Sequence, residues 1–223
     1  MRSKLSGLYG ISDAGLTPYA HLFDYLGAAI DGGLRIFQLR DKQSSDKDLR
    51  NLAVELQAFC KEKNIVFIIN DRFHLALDLG LDGVHLGRDE LEDFDSFRIE
   101  FKGIIGVSCY GLLDRARFYE ASGADYLAFG AFFPSRTKPG ASICDLEILK
   151  KAASTCKKPI CAIGGITSSN ANLLARANML AVISSLWPSP HLGLEERLKI
   201  IKSNAEAINL AFDSKASSPG GAL

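Results

Sequence analysis

The sequence carries no surplus of charge. Its 223 residues hold 26 Lys plus Arg against 26 Asp plus Glu, a formal net charge of zero. A nucleic-acid binder usually shows a basic patch or excess, so nucleic acid is not an expected partner. No apolar run approaches the roughly 20 residues that span a bilayer, and Met1 to Leu8 holds no apolar stretch of signal-peptide length. No CxxC pair occurs. The five cysteines, Cys60, Cys109, Cys144, Cys156 and Cys161, are odd in number and scattered, which argues against a disulfide framework and against a zinc site. They read as small buried hydrophobes. The expectation is a cytoplasmic, soluble protein with small-molecule ligands and no membrane partner; a homo-oligomer is compatible with the sequence.

What is present is a repeated strand-then-helix pattern. Strand candidates run over Leu8–Ser12, Leu34–Leu39, Ile65–Ile69, Gly83–Leu86, Gly103–Val107, Tyr126–Phe129, Pro159–Ile163 and Leu180–Ser184. Thr17-Pro18 reads as an N-cap followed by proline at the first helical position, opening a helix to about Asp31 that Gly32-Gly33 stops. Ser45 and Asp48 resemble a capping box, and Leu49, Leu52, Ala53, Leu56 and Phe59 follow at helical spacing. Further helices are expected near 111–122, 145–156, 169–177 and 194–211, with weaker ones after the third and fourth strands. Strands alternating with helices imply a parallel sheet. At this length the natural closure is a single (β/α)8 TIM barrel over residues 1–211. The rival, a doubly wound open sheet, lacks its usual GxGxxG after the first strand, where the chain reads Asp13-Ala14-Gly15-Leu16-Thr17. Residues 212–223, with few groups to pack, read as a disordered tail.

Chemistry in such barrels sits at the C-terminal strand ends, and polar residues collect there. Alternate strand residues share a face, so Leu34, Ile36, Gln38 and Arg40 form a face that turns from oily to cationic, with Lys42 just beyond. A buried strand has no structural need to finish with an amide and two cations; a site for a multiply charged anion does. Arg40, Lys42 and Lys138 suit a phosphate-rich group. Asp71 with Asp89 or Glu90 offers hard oxygen ligands, and Mg²⁺ typically takes one or two carboxylates plus substrate phosphates. Gly164-Gly165-Ile166-Thr167, expected to open a helix, can present backbone N–H groups to a second phosphate, with Ser184-Ser185 beside it. His85 reads as structural, and His21, His74 and His191 as surface or packing residues. Cys109 reads as inert.

The motifs Gln38-Leu39-Arg40-Asp41-Lys42, Ile69-Asn70-Asp71-Arg72, Gly83-Val84-His85-Leu86-Gly87, Gly106-Val107-Ser108, Gly130 to Lys138, Ala162-Ile163-Gly164-Gly165-Ile166 and Val182-Ile183-Ser184 resemble the thiamine phosphate synthase family in order and spacing. The resemblance runs from Leu8 to about Leu186. It implies a Mg²⁺-dependent transferase that joins hydroxymethylpyrimidine diphosphate to a thiazole phosphate, releasing pyrophosphate through a pyrimidine carbocation. Carried over by position, Gln38, Arg40, Lys42 and Asn70 hold the pyrimidine diphosphate. Asp71 and Glu90 ligate the metal, and Ser108 bonds the diphosphate or the pyrimidine. Ser135 and Thr137 hold the thiazole substrate, and Lys138 meets the pyrophosphate. Gly164, Gly165, Ile183 and Ser184 bind the thiazole's phosphate. Arg40, Lys42, Ser108 and Lys138 are the residues expected to act on the reaction itself.

Three positions depart from the family pattern. Arg88-Asp89-Glu90 stands where Gln, any residue, then Asp is usual, leaving Glu90 or Asp89 as second metal ligand. Ser135 replaces a common Thr, and Cys109-Tyr110 follows Ser108. Two alternatives are carried: a thiazole tautomerase-like isomerase, which relies on a histidine near the fifth strand end that this chain lacks from Gly103 to Gly111, and a non-catalytic phosphate-ligand-binding barrel.

Overall fold

The computed structural model describes residues 5–135, 140 and 142–214. Eight parallel strands form a closed barrel in sequence order, the last pairing with the first. They are β1 (Gly7–Ile11), β2 (Leu34–Leu39), β3 (Val66–Asn70), β4 (Gly83–Leu86), β5 (Ile104–Tyr110), β6 (Tyr126–Phe129), β7 (Ile160–Ile163) and β8 (Met179–Val182). The helices are α1 (Leu22–Asp31), α2 (Asp46–Glu62), α3 (Phe73–Leu79), α4 (Phe94–Glu100), α5 (Leu113–Ala121), α6 (Glu147–Thr155) and α7 (Leu194–Asp213). The single (β/α)8 barrel expected from the alternation is the observed fold. No described helix is long and apolar enough to cross a membrane.

Local chemistry explains most boundaries. At the start of α2 the Ser45 hydroxyl accepts from the Asp48 N–H at 3.3 Å, and the Asp48 carboxylate accepts from the Ser45 N–H, the reciprocal pair of a capping box. Leu49, Ala53, Leu56 and Cys60 then fall on one buried face at helical spacing. Strand alternation divides the apolar residues into two clusters. Leu8, Leu34, Phe37 and Leu39 pack outward with the helices. Tyr9, Ile11, Ile36, Ile68 and Tyr126 fill the barrel's interior. Leu34 therefore packs with the outer layer, rather than sharing the inner face with Ile36 and Gln38. Trp187, after β8, donates from its indole N–H to the Ile11 carbonyl at 2.7 Å and ties the last strand to the first.

Three expectations need correction. Thr17 does not cap α1. Its hydroxyl accepts from the Asp13 N–H at 3.0 Å and donates to the Asp13 carbonyl at 2.9 Å, closing a loop instead. Pro18 then leads into a 3₁₀ turn, Tyr19–His21, before α1 opens at Leu22. No α-helix spans 169–177, where the chain makes a 3₁₀ turn, Ala171–Leu174. Asn170 is the cause: its side chain accepts from the Thr167 N–H at 2.8 Å and donates to the Gly165 carbonyl at 3.0 Å. A side chain that bonds nearby backbone in this way competes with helix. Finally, α7 continues to Asp213, with Phe212 half-buried against the core, so the start of the expected tail is helical. Residues 215–223 lie outside the described residues.

One glycine is required by the interior packing. A Cβ on Gly106 in β5 would lie 1.9 Å from Cζ of the fully buried Tyr126. Gly106→Ala should therefore destabilise the fold by about 3 kcal/mol, at the upper end of typical overpacking costs. Urea unfolding measures this; an unchanged midpoint would mean that the Tyr126 ring has room to move.

Candidate active site

The carboxyl ends of parallel strands share one rim of the barrel. At the end of β2, Gln38 is 2% exposed, and its Nε2 donates to the Tyr9 hydroxyl at 2.6 Å. Arg40 follows, half-buried. Its backbone is held by β1: the Arg40 N–H donates to Ser12 Oγ at 2.7 Å, and that hydroxyl donates to the Arg40 carbonyl at 3.3 Å. Asp41 shapes the next turn, accepting from the Gln43 and Ser44 N–H groups at 2.7 and 2.9 Å, and from the Tyr19 and Ser44 hydroxyls. Partial burial alone would raise the Asp41 carboxyl. These hydrogen bonds outweigh it and hold the group well below the usual carboxylate range. Arg72 clamps the same loop, pairing with Asp46 at 2.5 Å and donating to the Asp41 carbonyl at 2.8 Å.

Lys42 and Asp71 meet directly. Lys42 Nζ lies 3.0 Å from Asp71 Oδ2, so the cation expected for a diphosphate and the carboxylate expected for a metal are paired. Asp71 sits at φ 65°, just past the 8% exposed Asn70, and its N–H donates to the His85 carbonyl at 2.8 Å. Glu90 faces it across Gly87. A Cβ at Gly87 would be 2.7 Å from Glu90 Oε2 and 3.6 Å from Asp71 Oδ1. Burial raises the Glu90 carboxyl; the charges of Asp71 and Asp89 add to this, and Lys42 opposes it. Asp89 is exposed. Asp71, Asp89 and Glu90 also border a cleft of about 400 Å³ beside α3 and α4. Among the described residues no cluster of three or more His, Cys, Asp or Glu side chains is arranged to hold a metal. Two crowded carboxylates at a phosphate-suited rim nevertheless match the donor set that Mg²⁺ shares with substrate phosphates. Arg88 lies over the Tyr110 ring at 4.9 Å, so two of the departures from the family pattern touch each other.

Ser108, on β5, has its Oγ 2.9 Å from His85 Nε2, and His85 Nδ1 is 2.8 Å from the Tyr126 hydroxyl. Tyr126 in turn lies 2.9 Å from the Tyr9 hydroxyl. His85, expected to be merely structural, thus links Ser108 to Gln38 through two phenols. Its enclosure pushes the imidazole down to about 4, against the pull of Asp71's charge. Cys109 is fully buried, and burial pushes its thiol up to about 12, as suits an inert residue.

The expected second phosphate site differs from the sequence picture. Gly164 and Gly165 have φ of 102° and 63°, which glycine alone adopts freely. A Cβ on either would lie within 2.4 Å of the Ala131 Cβ or the Pro134 carbonyl. The pair thus lets the loop after β6 lie against the end of β7, where the Phe133 N–H donates to the Gly164 carbonyl at 3.0 Å. No α-helix follows directly; the next element is the 3₁₀ turn Ala171–Leu174. Half-buried Ile183 and exposed Ser184 come just after β8, and half-buried Ser135 lies in the loop after β6. Thr137 and Lys138 lie outside the described residues. Sequence reasoning missed Tyr9, Ser12, Asp41, Arg72 and Tyr126. Asp41 and Arg72 stood inside quoted motifs without a role assigned, and the tyrosines carried a signal as polar-tipped residues in otherwise apolar strands.

A model of the thiamine monophosphate synthase family matches residues 8–186. A thiamine-phosphate synthase from Wolinella succinogenes is 50% identical over 185 residues, covering 82% of this chain and 86% of the relative. One from Nitrosococcus oceani is 41% identical, covering 85% and 88%. A thiamine phosphate pyrophosphorylase structure from Pyrococcus furiosus superposes with a TM-score of 0.77 at 30% identity, covering 93% of this chain and 98% of that one.

The lowered His85 value has a definite sign. The unfolded chain takes up this proton near 6.5, the folded protein only near 4. The group's contribution to stability is therefore lost as pH falls from about 6.5 to about 4. The NMR signals of the His85 ring should stay constant from pH 8 to about 5; titration near 6.5 would contradict its enclosure.

Proposed function

We infer the reaction from one established premise: the chain belongs to the thiamine monophosphate synthase family. It is a transferase that joins hydroxymethylpyrimidine diphosphate to a thiazole phosphate, giving thiamine phosphate and pyrophosphate. The observation that carries this reading onto the present residues is the rim itself. Gln38, Arg40 and Lys42 at the end of β2 adjoin the Asp71–Glu90 pair, as Lys42 and Asp71 are 3.0 Å apart.

The bond between the pyrimidine methylene carbon and the diphosphate oxygen breaks with its electron pair leaving on oxygen. A new bond from the thiazole nitrogen fills the carbon. Such a step needs no nucleophilic side chain. It needs stabilisation of the departing negative charge and a nucleophile already in place. Arg40, its backbone tied to Ser12, offers a guanidinium at the end of β2. Lys42, released from Asp71, and Lys138 add positive charge. Gln38, Asn70 and Ser108 hold the pyrimidine diphosphate by hydrogen bonds. Ser135, Thr137, Gly164, Gly165, Ile183 and Ser184 hold the thiazole phosphate. Asp71 and Glu90 would hold Mg²⁺, which when bound supplies further neutralisation of phosphate oxygens. Glu90 rather than Asp89 takes the second place, because it is the carboxylate that shares Gly87's space with Asp71.

Pyrophosphate release by purified protein with Mg²⁺ should require both substrates; release without the thiazole phosphate, or none with the full mixture, would refute the condensation. Asp71→Asn should lower kcat at least about 100-fold, the scale of losing a principal charge-stabilising group, without loss of fold. Glu90→Gln should hurt more than Asp89→Asn. The reverse order would move the second ligand to Asp89.

A further inference from the structure

Gln38 on β2 and Ser108 on β5 face each other across the barrel interior, joined by an unbroken run of side-chain hydrogen bonds through Tyr9, Tyr126 and His85. We propose that Tyr9, Tyr126 and His85 are positioning residues that transmit one hydrogen-bond direction from the Gln38 amide to Ser108, leaving the Ser108 hydroxyl proton free to be donated to the ligand. The proposal deepens the reading of Ser108 as a contact of the pyrimidine diphosphate, and rests on it.

The direction follows from counting protons. Gln38 Nε2 is a donor only, so the Tyr9 oxygen accepts from it at 2.6 Å. Among the described residues, the one acceptor left for the Tyr9 proton is the Tyr126 oxygen, at 2.9 Å. Tyr126 then has one place for its own proton, His85 Nδ1 at 2.8 Å. A neutral imidazole carries a single N–H. With Nδ1 accepting, that N–H is on Nε2 and donates to Ser108 Oγ at 2.9 Å. Ser108 Oγ has no other partner among the described residues, so its proton is available at the mouth. Geometry supports the neutral imidazole, since both its nitrogens face hydroxyls and neither faces a carboxylate; burial raises both phenols, which stay protonated.

The run has one alternative arrangement. Turning the Gln38 amide end for end would reverse every donor. His85 would then carry Nδ1–H, and Ser108 would donate into the ring and present only lone pairs to the ligand. A negatively charged diphosphate accepts hydrogen bonds and does not give them. For a Ser108 that contacts the diphosphate rather than the pyrimidine, only the first arrangement is useful. The tyrosines sit well inside the barrel, so they act on the ligand only through Gln38 and Ser108.

The test reads the tautomer of His85 directly. Ligand-free protein labelled with ¹⁵N-histidine is examined by two-bond ¹H–¹⁵N NMR. The wild type should show His85 protonated at Nε2 and bare at Nδ1. Tyr9→Phe and Tyr126→Phe each break the run, and should leave that ring as a mixture of tautomers. Turnover in both should fall roughly tenfold in kcat, the scale of one misplaced hydrogen-bonding group, with KM for the thiazole phosphate unchanged. An Nδ1–H tautomer in the wild type overturns the proposal, and so does a tautomer that both variants leave intact. The wild-type spectrum decides even if a variant fails to fold. Pyrophosphate release by wild-type protein is followed in parallel. Turnover with the wrong tautomer sinks this proposal alone; the expected tautomer without turnover sinks the proposed reaction and, with it, the role given to the Ser108 proton.

Discussion

Closing eight parallel strands into one ring forces every strand to end on the same rim and every second side chain to point into a narrow interior. The rest of the structure follows from that constraint. Residues distant in sequence, from Gln38 to Ser184, become neighbours of one mouth because they occupy equivalent places in successive strands. The interior must also be filled. Toward its mouth this barrel carries polar side chains, and unpaired polar groups there would each cost on the order of 1–3 kcal/mol. The run from Gln38 to Ser108 satisfies them, and Gly106 vacates the space that the Tyr126 ring takes up. The floor of the proposed site is therefore part of the protein's own core.

Charge at the mouth is arranged around Asp71. It pairs with Lys42 and shares its surroundings with Glu90, whose carboxyl is raised by burial and by its neighbours. Without ligand, Lys42 balances that crowding. On the proposed reading, a diphosphate and a divalent ion would offer the same groups better partners, carboxylates for the metal and ammonium for phosphate, and that exchange would make the site complementary to the bound ligand set rather than to water. Arg88, stacked on Tyr110, adds one more cation next in sequence to Asp89 and Glu90.

Much of this was legible in the sequence, for physical reasons. Strands and most helices are announced locally, by apolar runs and by signals such as the Ser45–Asp48 box. The cationic end of β2 stood out because strand alternation makes an amide and two cations on one face unusual. What failed also failed physically. Thr17 looked like a cap, but its hydroxyl closes the Asp13 loop; the stretch from 169 to 177 looked helical, but Asn170 bonds back to Gly165. The Lys42–Asp71 pair and the interior run were not legible, because their partners lie on different strands. Tyr9 and Tyr126 are 117 residues apart, and only barrel closure brings them together.

The central claim is that positive side chains at the end of β2 act with a divalent ion to take up the charge of a departing diphosphate. Calorimetric titration of wild-type protein and Arg40→Ala with each substrate, with and without Mg²⁺, tests it most directly. The account predicts that binding of the pyrimidine diphosphate depends on Mg²⁺ and weakens strongly in Arg40→Ala, while binding of the thiazole phosphate is little changed. Equal losses for both ligands, or diphosphate binding indifferent to both the metal and Arg40, would contradict it.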